Sequence, residues 1–404
     1  MTTTAATPSL TTRVTVDASD WFQVVFGKTE AEWLAADSSE KGLRFRKKWD
    51  PRFGPHVGVV GAGGRILDAG CFSVWSLEDL ETEGKDADGS SAPKPLTAKT
   101  RPVLPLDIYV RKHDGVPVQF VDVNALHCNA TPGTMFQVAS NFNCMEIGRD
   151  DTDPRHGAFV THLMSDYTQG PGAACACAVS ALVRTHACFV EDDASTGITV
   201  ATGQHFAGPQ IELLGDARLA PYFPVDNGKL FACEPRSLSK TAKGDLDHGV
   251  PIGAVRVGLH VQAQAMFRRC PRHKCEITFA GAPVVDQVFV AAMNMGARSV
   301  RFLTKAAVNQ RMRFLLRAAY RGTYAAGVVR KTKTLVLTLV GGGVFRNPLG
   351  AIGDAIGEAH ARWADAGRFE RIVLPIFTAG PAVIEDLVAG IRAQGVRVNV
   401  HVLE

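Results

Sequence analysis

The 404-residue chain has no long apolar run, and no stretch approaches the ~18 consecutive apolar residues that a membrane-spanning helix needs. Its first residues, MTTTAATPSLTTRVTV, are rich in threonine and lack the apolar core of a secretory signal. We therefore expect a cytoplasmic or nuclear protein that is not secreted through a signal peptide and that has no membrane partner.

The chain also lacks an excess of charge of either sign. The chain has 44 Lys and Arg residues and 40 Asp and Glu residues, which gives a formal net charge of +4. A charge this small gives no global argument for nucleic acid. The one basic run, RFRKKW at 44–49, is typical of a solvated face. We do not expect a nucleic-acid partner.

Cysteines do not form a paired pattern, since the nine of them are scattered and lie mostly in apolar contexts such as GAACACAVSALV. This excludes a disulfide framework and predicts reduced core cysteines. Cys270 and Cys275 flank His273 in RRCPRHKCEI, but a zinc site needs about four ligands and no second pair stands at a matching spacing. We expect a polar hairpin turn there, with no metal and no cofactor.

Regular elements are read most clearly in the C-terminal third, where helix-like and strand-like segments alternate. This pattern predicts an α/β fold with a mostly parallel or mixed sheet and helices on both faces. Upstream, VQFVDVNALH and GTMFQVASNF read as strands. Residues 1–100 read as an accessory α+β region with a helix-containing, aromatic stretch at 20–50 and a mobile loop at 79–100. Residues 101–404 form the second domain.

One glycine-rich loop interrupts this alternation. The sequence LVLTLVGGGVFRNP at 335–348 runs from a strand into Gly341, Gly342 and Gly343, followed by Val344, Phe345 and Asn347. It has neither the Gly-Lys-Ser/Thr of a Walker A loop nor the G-x-G-x-x-G of a dinucleotide fold. Bare N–H groups between a strand and a helix start favour a phosphate or diphosphate. A tight turn that binds no ligand remains the alternative interpretation.

A second loop follows the strand in FQVASNFNCMEIG, at 136–148. Asn141 and Asn143 come where that strand ends, and each amide offers both donor and acceptor atoms. Two such amides suit the hydroxyls of a ribose. A local Asx turn is the alternative.

The third loop is SDYTQGPGAACACAVSAL, at 165–182. Asp166, Thr168 and Gln169 precede Gly170 and Pro171, which begin a helix of small residues. The start of that helix is a second place for an anion. An ordinary helix cap remains the other interpretation.

These three loops resemble the ligand loops of the macrodomain, an α/β fold that binds ADP-ribose. The set QVASNFNCMEI, YTQGP and LVGGGVFRNP is similar to a divergent macrodomain-like family found in protists, algae, large DNA viruses and bacterial effectors. Some effector members remove ADP-ribose from arginine. The resemblance implies a macrodomain-like three-layer α/β/α architecture with a mixed sheet over 101–404. Two departures are TQGPG in place of a glycine-rich first phosphate loop and Arg346 where glycine is commoner.

The resemblance further implies ADP-ribose or an ADP-ribosylated protein as partner. Hydrolysis would pass through an oxocarbenium-like state at the anomeric carbon, which a carboxylate stabilises or attacks through water. Asp166 is the first candidate for this catalytic carboxylate, and Glu146 and Asp286 are the others. His260, on an apolar strand, reads as a core residue. A reader that binds without turnover and a ligand-free interaction protein are the competing hypotheses.

Overall fold

The computed structural model of the chain describes residues 13–36, 41–45, 50–86, 103–111, 121–146, 168–193, 198–205, 208–366, 368–376 and 384–403. Its α-helices are α1 (Trp21–Phe26), α2 (Glu30–Ala35), α3 (Leu77–Asp86), α4 (Val123–Cys128), α5 (Gln169–Ala176), α6 (Ala178–His186), α7 (Lys240–Lys243), α8 (Lys305–Val329), α9 (Leu349–Trp363) and α10 (Glu385–Ala393). None of these helices combines the length and the apolar character needed to cross a bilayer.

Its strands are β1 (Arg13–Asp17), β2 (Leu43–Phe45), β3 (His56–Val60), β4 (Ile66–Ser76), β5 (Leu106–Arg111), β6 (Thr134–Ala139), β7 (Phe189–Asp193), β8 (Ile198–Thr202), β9 (Val225–Asp226), β10 (Lys229–Leu230), β11 (Arg256–Gln264), β12 (Phe267–Cys270), β13 (Lys274–Thr278), β14 (Val284–Val290), β15 (Thr334–Val336), β16 (Arg371–Ile376) and β17 (Val398–Leu403).

Ten strands form one mixed sheet in the order β17-β5-β16-β15-β6-β14-β11-β4-β3-β2. The pairs from β17 to β14 are parallel, whereas those from β14 to β2 are antiparallel. The prediction of a mixed sheet is confirmed. Because the parallel strands run the same way, their carboxyl ends meet at one edge of the sheet, where ligands bind in α/β folds.

Helices cover both faces of the sheet, so the molecule has the predicted three α/β/α layers. Side chains on β11 alternate between the faces. Val257 packs against Gly322 of α8, where a Cβ would lie 2.7 Å from it, and His260 faces Arg184 of α6. Helices α3, α9 and α10 join α8 on the first face, while α4 and α5 lie with α6 on the second.

Helix α8 is the longest element described and forms the spine of the first layer. It begins at the cap Thr304, whose side chain accepts a hydrogen bond from the N–H of Ala307. Small residues such as Gly322 allow its inner side to approach the sheet closely. On its outer side, Arg317 pairs with Glu358 of α9 at 2.6 Å. The predicted amphipathic helix is confirmed.

The N-terminal region extends the same sheet. Strands β2, β3 and β4 lie beside β11, so the sheet runs across residue 100. The division into domains at that residue stays a prediction. The aromatic stretch at 20–50 contains α1 and α2, and its rings pack on one another, with Phe22 and Phe26 at 4.6 Å between centroids and Phe26 and Trp33 at 6.4 Å. The prediction of a helical segment with aromatic anchors is confirmed.

Two predicted segments differ in the structure. The mobile loop expected at 79–100 is wrong over 79–86, which belongs to helix α3, and its residues 87–100 lie outside the described residues. Leu77 and Leu80 are buried against α8, and Glu81 binds Arg321 at 2.6 Å. The strand expected in VQFVDVNALH is instead helix α4 over its described second half, capped by the side chain of Asp122.

Candidate functional site

Segments that follow three parallel strands form a cleft at the carboxyl edge of the sheet. They are 140–146 after β6, 291–298 after β14 and 337–347 after β15, and the first turn of α5 closes one side. The cleft comprises a smaller cavity of ≈ 300 Å³ and a larger one of ≈ 580 Å³. The residues that line both are Ser140, Asn141, Ala292, Val344 and Phe345. The three loops singled out in the sequence therefore do converge.

The three glycines of the loop after β15 have different surroundings. Gly341 has a φ of +74° and no room for a Cβ, which would strike the side-chain amide of Asn347. Gly342 lies on Ile352 and lines neither cavity, and a Cβ there would be 3.2 Å from the Ile352 Cδ1. A Cβ on Gly343 would meet nothing within 4 Å, because this residue faces the smaller cavity.

The glycine loop presents free backbone donors. The N–H of Arg346 donates to the carbonyl of Gly343 at 3.0 Å, and this bond closes the loop. The N–H groups of Gly343, Val344 and Phe345 donate to no acceptor among the described residues. Consecutive free N–H groups in a turn form a concave site for an anion. Val344 is 78% exposed at the mouth of the cleft.

Two asparagines predicted to bind ligand are occupied elsewhere. Asn347 is 3% exposed, and its Nδ2 donates to the carbonyls of Met293 at 2.9 Å and Gly341 at 3.1 Å. Asn143 is fully buried, and its Nδ2 donates to Gln210 at 2.9 Å. Neither lines the smaller or the larger cavity of the cleft. The structure assigns them to holding their own loops, and not to the cleft.

Asn141 is the asparagine that the structure brings to the cleft, where it lines both cavities. Its backbone N–H donates to the carbonyl of Met145 at 3.1 Å, and the N–H of Cys144 donates to its carbonyl at 2.9 Å. Cys144 adopts a left-handed φ of 59° to close this turn. The side-chain amide of Asn141 makes no hydrogen bond within the described part of the chain, so it can bind a ligand hydroxyl.

The first turn of α5 lines the smaller cavity with Thr168, Gln169, Gly170 and Pro171. Gln169 does not point its amide at the cavity, because its Oε1 accepts from the N–H of Ala139 and its Nε2 donates to the carbonyl of Gln137, both at 2.9 Å. These bonds fasten α5 to the end of β6. The first N–H groups of the helix, at Gln169 and Gly170, have no acceptor within the helix.

The three predicted carboxylates have separate outcomes. Glu146 lines the smaller cavity, with its carboxylate packed against Gly170 so closely that a Cβ there would strike it. Asp286 lies four residues before the carboxyl end of β14, about 13 Å away, and pairs with Arg330 at 2.8 Å. The structure does not bring Asp286 to the cleft. Asp166 lies outside the described residues.

The larger cavity was not foreseen from the sequence. Besides the shared residues, it is lined by Phe142, Gly228, Lys229, Leu230, Phe231, Ala232, Cys233, Glu234, Pro235, Asn294, Gly296, Ala297 and Arg298. Phe231 has a φ of 57°, an unusual backbone for an aromatic residue. Strain of this kind, of order 1–3 kcal/mol, is found most often at functional sites. The Asn-Gly turn at 227–228 was the only local signal, and it indicates a hairpin rather than a cavity.

The remaining predictions concern metals and histidine. Among the described residues, no three His, Cys, Asp or Glu side chains come together as ligands for a metal ion. Cys270 and Cys275 belong to the β12–β13 hairpin, whose turn contains Arg272 and His273 at φ values of 60° and 54°. The predicted hairpin is confirmed. His260 is fully buried and contacts the carbonyl of Ala69 at 2.6 Å, as expected of a core residue.

Comparison with known proteins gives likenesses of structure only, since no family model and no curated protein matches the chain. Poly(ADP-ribose) glycohydrolase from Deinococcus radiodurans in complex with ADP-ribose is similar at a TM-score of 0.40 and 13% identity, over 80% of this chain and 94% of that one. The same enzyme from Thermomonospora curvata gives 0.41 and 13%, over 90% and 98%. Bound to the inhibitor ADP-HPD, it gives 0.40 and 13%, over 90% and 98%. TM-scores this low carry no argument about activity.

Proposed function

We propose that the chain binds ADP-ribose in the cleft and hydrolyses the bond between ADP-ribose and a modified protein, with arginine as one acceptor. The observation that carries this proposal is the set of free N–H groups at Gly343, Val344 and Phe345, which share a cavity with the start of α5. Consecutive free backbone donors at the wall of a cavity suit a diphosphate, and the carboxylate of Glu146 at the start of α5 leaves the glycine loop as its side of the cavity. The resemblance of the three loops to macrodomain loops points to the same ligand.

The positions of the side chains suggest how the ligand lies. The diphosphate occupies the smaller cavity against the glycine loop, and the distal ribose lies beside Asn141, whose amide can bind its hydroxyls. Since Asn141 also lines the larger cavity, the group attached to this ribose extends there. At the rim of that cavity, the exposed carboxylate of Glu234 can form paired hydrogen bonds with a guanidinium.

The chemistry proposed is replacement of the protein side chain by water. The bond from the anomeric carbon to the acceptor atom breaks, the oxygen of water bonds to that carbon, and the proton released goes to the departing group. Developing positive charge on the ribose is stabilised by a nearby carboxylate. Glu146 is the described residue that can do this, and Asp166 stays the first candidate that the sequence predicted for this role.

A non-catalytic reader is the second candidate function. Glu146 is the only carboxylate among the described residues that line the smaller cavity, and a hydrolase of this type would use more than one. The third hypothesis, an interaction protein without ligand, predicts a glycine loop covered by side chains and no pocket. The open surroundings of Gly343 and the two cavities argue against it.

Calorimetric titration with ADP-ribose, AMP and NAD tests binding, and release of ADP-ribose from an arginine-modified protein tests turnover. We expect ADP-ribose to bind more tightly than AMP, because AMP has neither the diphosphate nor the distal ribose. Glu146→Gln and Asp166→Ala should keep ADP-ribose binding within about threefold and lower turnover at least 100-fold, as for lost acid–base groups. Binding without turnover in the wild type would establish the reader, and absence of ADP-ribose binding would refute both functions.

A further inference from the structure

Arg184 of α6 is a buried arginine directly behind the turn that carries Asn141 and Glu146. Its side chain is 2% exposed, and its Nε donates to the carbonyl of Cys144 at 2.7 Å. The guanidinium lies over the ring of Phe289, 3.9 Å from its centroid. Its Nη1 is 3.5 Å from the Nδ1 of His260. The side chain is therefore fixed from three directions.

Burial of this charge needs an explanation, because removing a guanidinium from water is costly unless a partner compensates. No carboxylate among the described residues lies within salt-bridge distance of Arg184. Burial lowers the pKa of Arg184 to about 10, and the group still carries its charge at neutral pH. A neutral side chain would fill the same space at lower cost.

The ionisable groups that act on Arg184 among the described residues are Cys144, Glu146, Cys177, Cys188 and His260. Burial raises the pKa of Cys144 and of Cys188 to about 12 and raises that of Cys177 as well, so the three thiols stay neutral. Burial, and then the nearby Arg184, lowers the pKa of His260 to about 3. Glu146 is the one carboxylate in this set, and its electrostatic interaction with Arg184 is attractive.

A second contact joins α6 to the same turn. Gln204 is 1% exposed, and its Nε2 donates to the carbonyl of Asn143 at 3.1 Å and to that of Arg184 at 3.2 Å. Two buried side chains thus hold successive carbonyls of the turn. The carbonyl of Cys144 is held by Arg184 of α6 and that of Asn143 by Gln204, which follows β8, while Asn141 and Glu146 line the cleft.

We infer that Arg184 is a positioning residue for the cleft. It holds the carbonyl of Cys144, which keeps the amide of Asn141 and the carboxylate of Glu146 at the cavity wall. Its charge favours the ionised form of Glu146 from behind the turn. The part of this inference that concerns turnover rests on the proposed function, whereas the part that concerns the turn does not.

Arg311 provides a matched control. It is likewise fully buried, it donates to backbone carbonyls at Tyr222, Thr241 and Gly244, and it lines neither cavity. Arg184→Met and Arg311→Met therefore remove the same kind of side chain from two places. Arg184→Lys keeps the charge but loses the planar fork.

Hydrogen exchange of the backbone amides at 141–146 is measured first. In Arg184→Met we expect exchange at least tenfold faster than in Arg311→Met, after correction for global stability. Arg184→Lys should be intermediate, and it carries the test if Arg184→Met does not fold. Equal exchange in the two methionine variants would overturn the inference whether or not the protein binds ADP-ribose.

Turnover is measured next as a function of pH. Arg184→Met should lower kcat about tenfold and shift the acid limb of the pH profile upward, because the positive charge that opposes protonation of Glu146 is lost. Arg184→Lys should keep the wild-type acid limb. If the acid limb of Arg184→Met is not shifted, the inference that the charge of Arg184 acts on Glu146 is refuted. A wild type that neither binds nor turns over would refute the proposed function, and the exchange result would still decide the role of Arg184 in the turn.

Discussion

At the scale of single residues, the three adjacent glycines of the loop after β15 are glycine for different reasons. Gly341 is fixed by its positive φ and by Asn347, and Gly342 is fixed by packing on Ile352. Gly343 meets neither requirement, since its φ is not in the left-handed region and its surroundings are open. A glycine that neither its φ nor its packing requires, at the wall of a cavity, favours the proposal that a ligand approaches this loop closely.

This contrast predicts separable effects of two alanine substitutions. Gly341→Ala should lower the free energy of unfolding by about 2 kcal/mol or more, because it combines an unfavourable φ with a steric conflict. Gly343→Ala should change stability by less than about 0.5 kcal/mol, as expected of an exposed site. It should weaken ADP-ribose about tenfold, because its methyl group enters the cavity beside the free N–H groups. Urea unfolding and calorimetry measure both, and unchanged affinity in Gly343→Ala would contradict a ligand at this loop.

At the scale of elements, the segment between β15 and the glycine loop is held by side chains. Strand β15 ends at Val336. Beyond it, the side chain of Tyr320 on α8 forms hydrogen bonds with the backbone. Its hydroxyl donates to the carbonyl of Thr338 at 2.7 Å and accepts from the N–H of Val340 at 3.1 Å. The N–H of Thr338 donates to the side chain of Gln137 on β6 at 3.0 Å. The position of the glycine loop thus depends on α8.

Tyr320→Phe should therefore affect both stability and binding. The substitution removes both hydrogen bonds of the hydroxyl, and the carbonyl of Thr338 and the N–H of Val340 keep only their mutual bond at 3.0 Å. The loss costs about 0.5–1.5 kcal/mol per hydrogen bond. It should also weaken ADP-ribose several-fold, because the glycine loop loses its support. Tyr324→Phe is the control, since its hydroxyl bonds to His360 at 2.9 Å, away from the loop. That control should lose stability but keep its affinity, and equal affinity in the two variants would show that α8 does not position the loop.

At the scale of the whole molecule, buried neutral histidines lie in the sheet and in both helical layers. His127 on α4, His260 on β11 and His360 on α9 are all fully buried. Burial lowers the pKa of His127 to about 4, that of His260 to about 3 and that of His360 to about 4. In the unfolded chain each returns to its ordinary pKa near 6.5.

These histidines predict a loss of stability in mild acid. Because their folded pKa values are depressed, their contribution is fully present above about pH 6.5 and is lost as the pH falls toward about 4, where the unfolded chain binds more protons. Each contributes a slope of up to about 1.4 kcal/mol per pH unit in this window. Urea unfolding at pH 7, 6 and 5 measures it. His127→Gln should remove about a third of the slope, and an unchanged slope would show that His127 is not neutral in the folded protein.

Sequence patterns predicted the order of elements in the C-terminal third and the meeting of three loops at one edge, because both follow from periodicity and from the direction of parallel strands. Sequence patterns could not predict which group each asparagine side chain binds. Asn141 and Asn143 stand two positions apart in one turn, yet the first faces the cleft and the second binds Gln210. In the sequence, Asp286 and Glu146 are equivalent candidates for a catalytic carboxylate. In the folded chain, the carboxylate of Asp286 pairs with Arg330. Helix α3 was missed because few of its positions are apolar.

The contact between Glu146 and Gly170 makes the two walls of the cleft electrostatically different. The carboxylate of Glu146 lies at the start of α5 and opposes the positive pole of that helix. The diphosphate of the proposed ligand is therefore expected at the opposite wall, at Gly343. Under the proposed function, ADP-ribose would then bind in one orientation, with the bond to be hydrolysed at one defined place in the cleft. Gly343→Ala should weaken inorganic pyrophosphate about tenfold, but by less than about threefold when combined with Glu146→Gln, because the start of α5 then becomes available to the phosphates. An equal loss with and without Glu146→Gln would mean that the carboxylate does not orient the ligand.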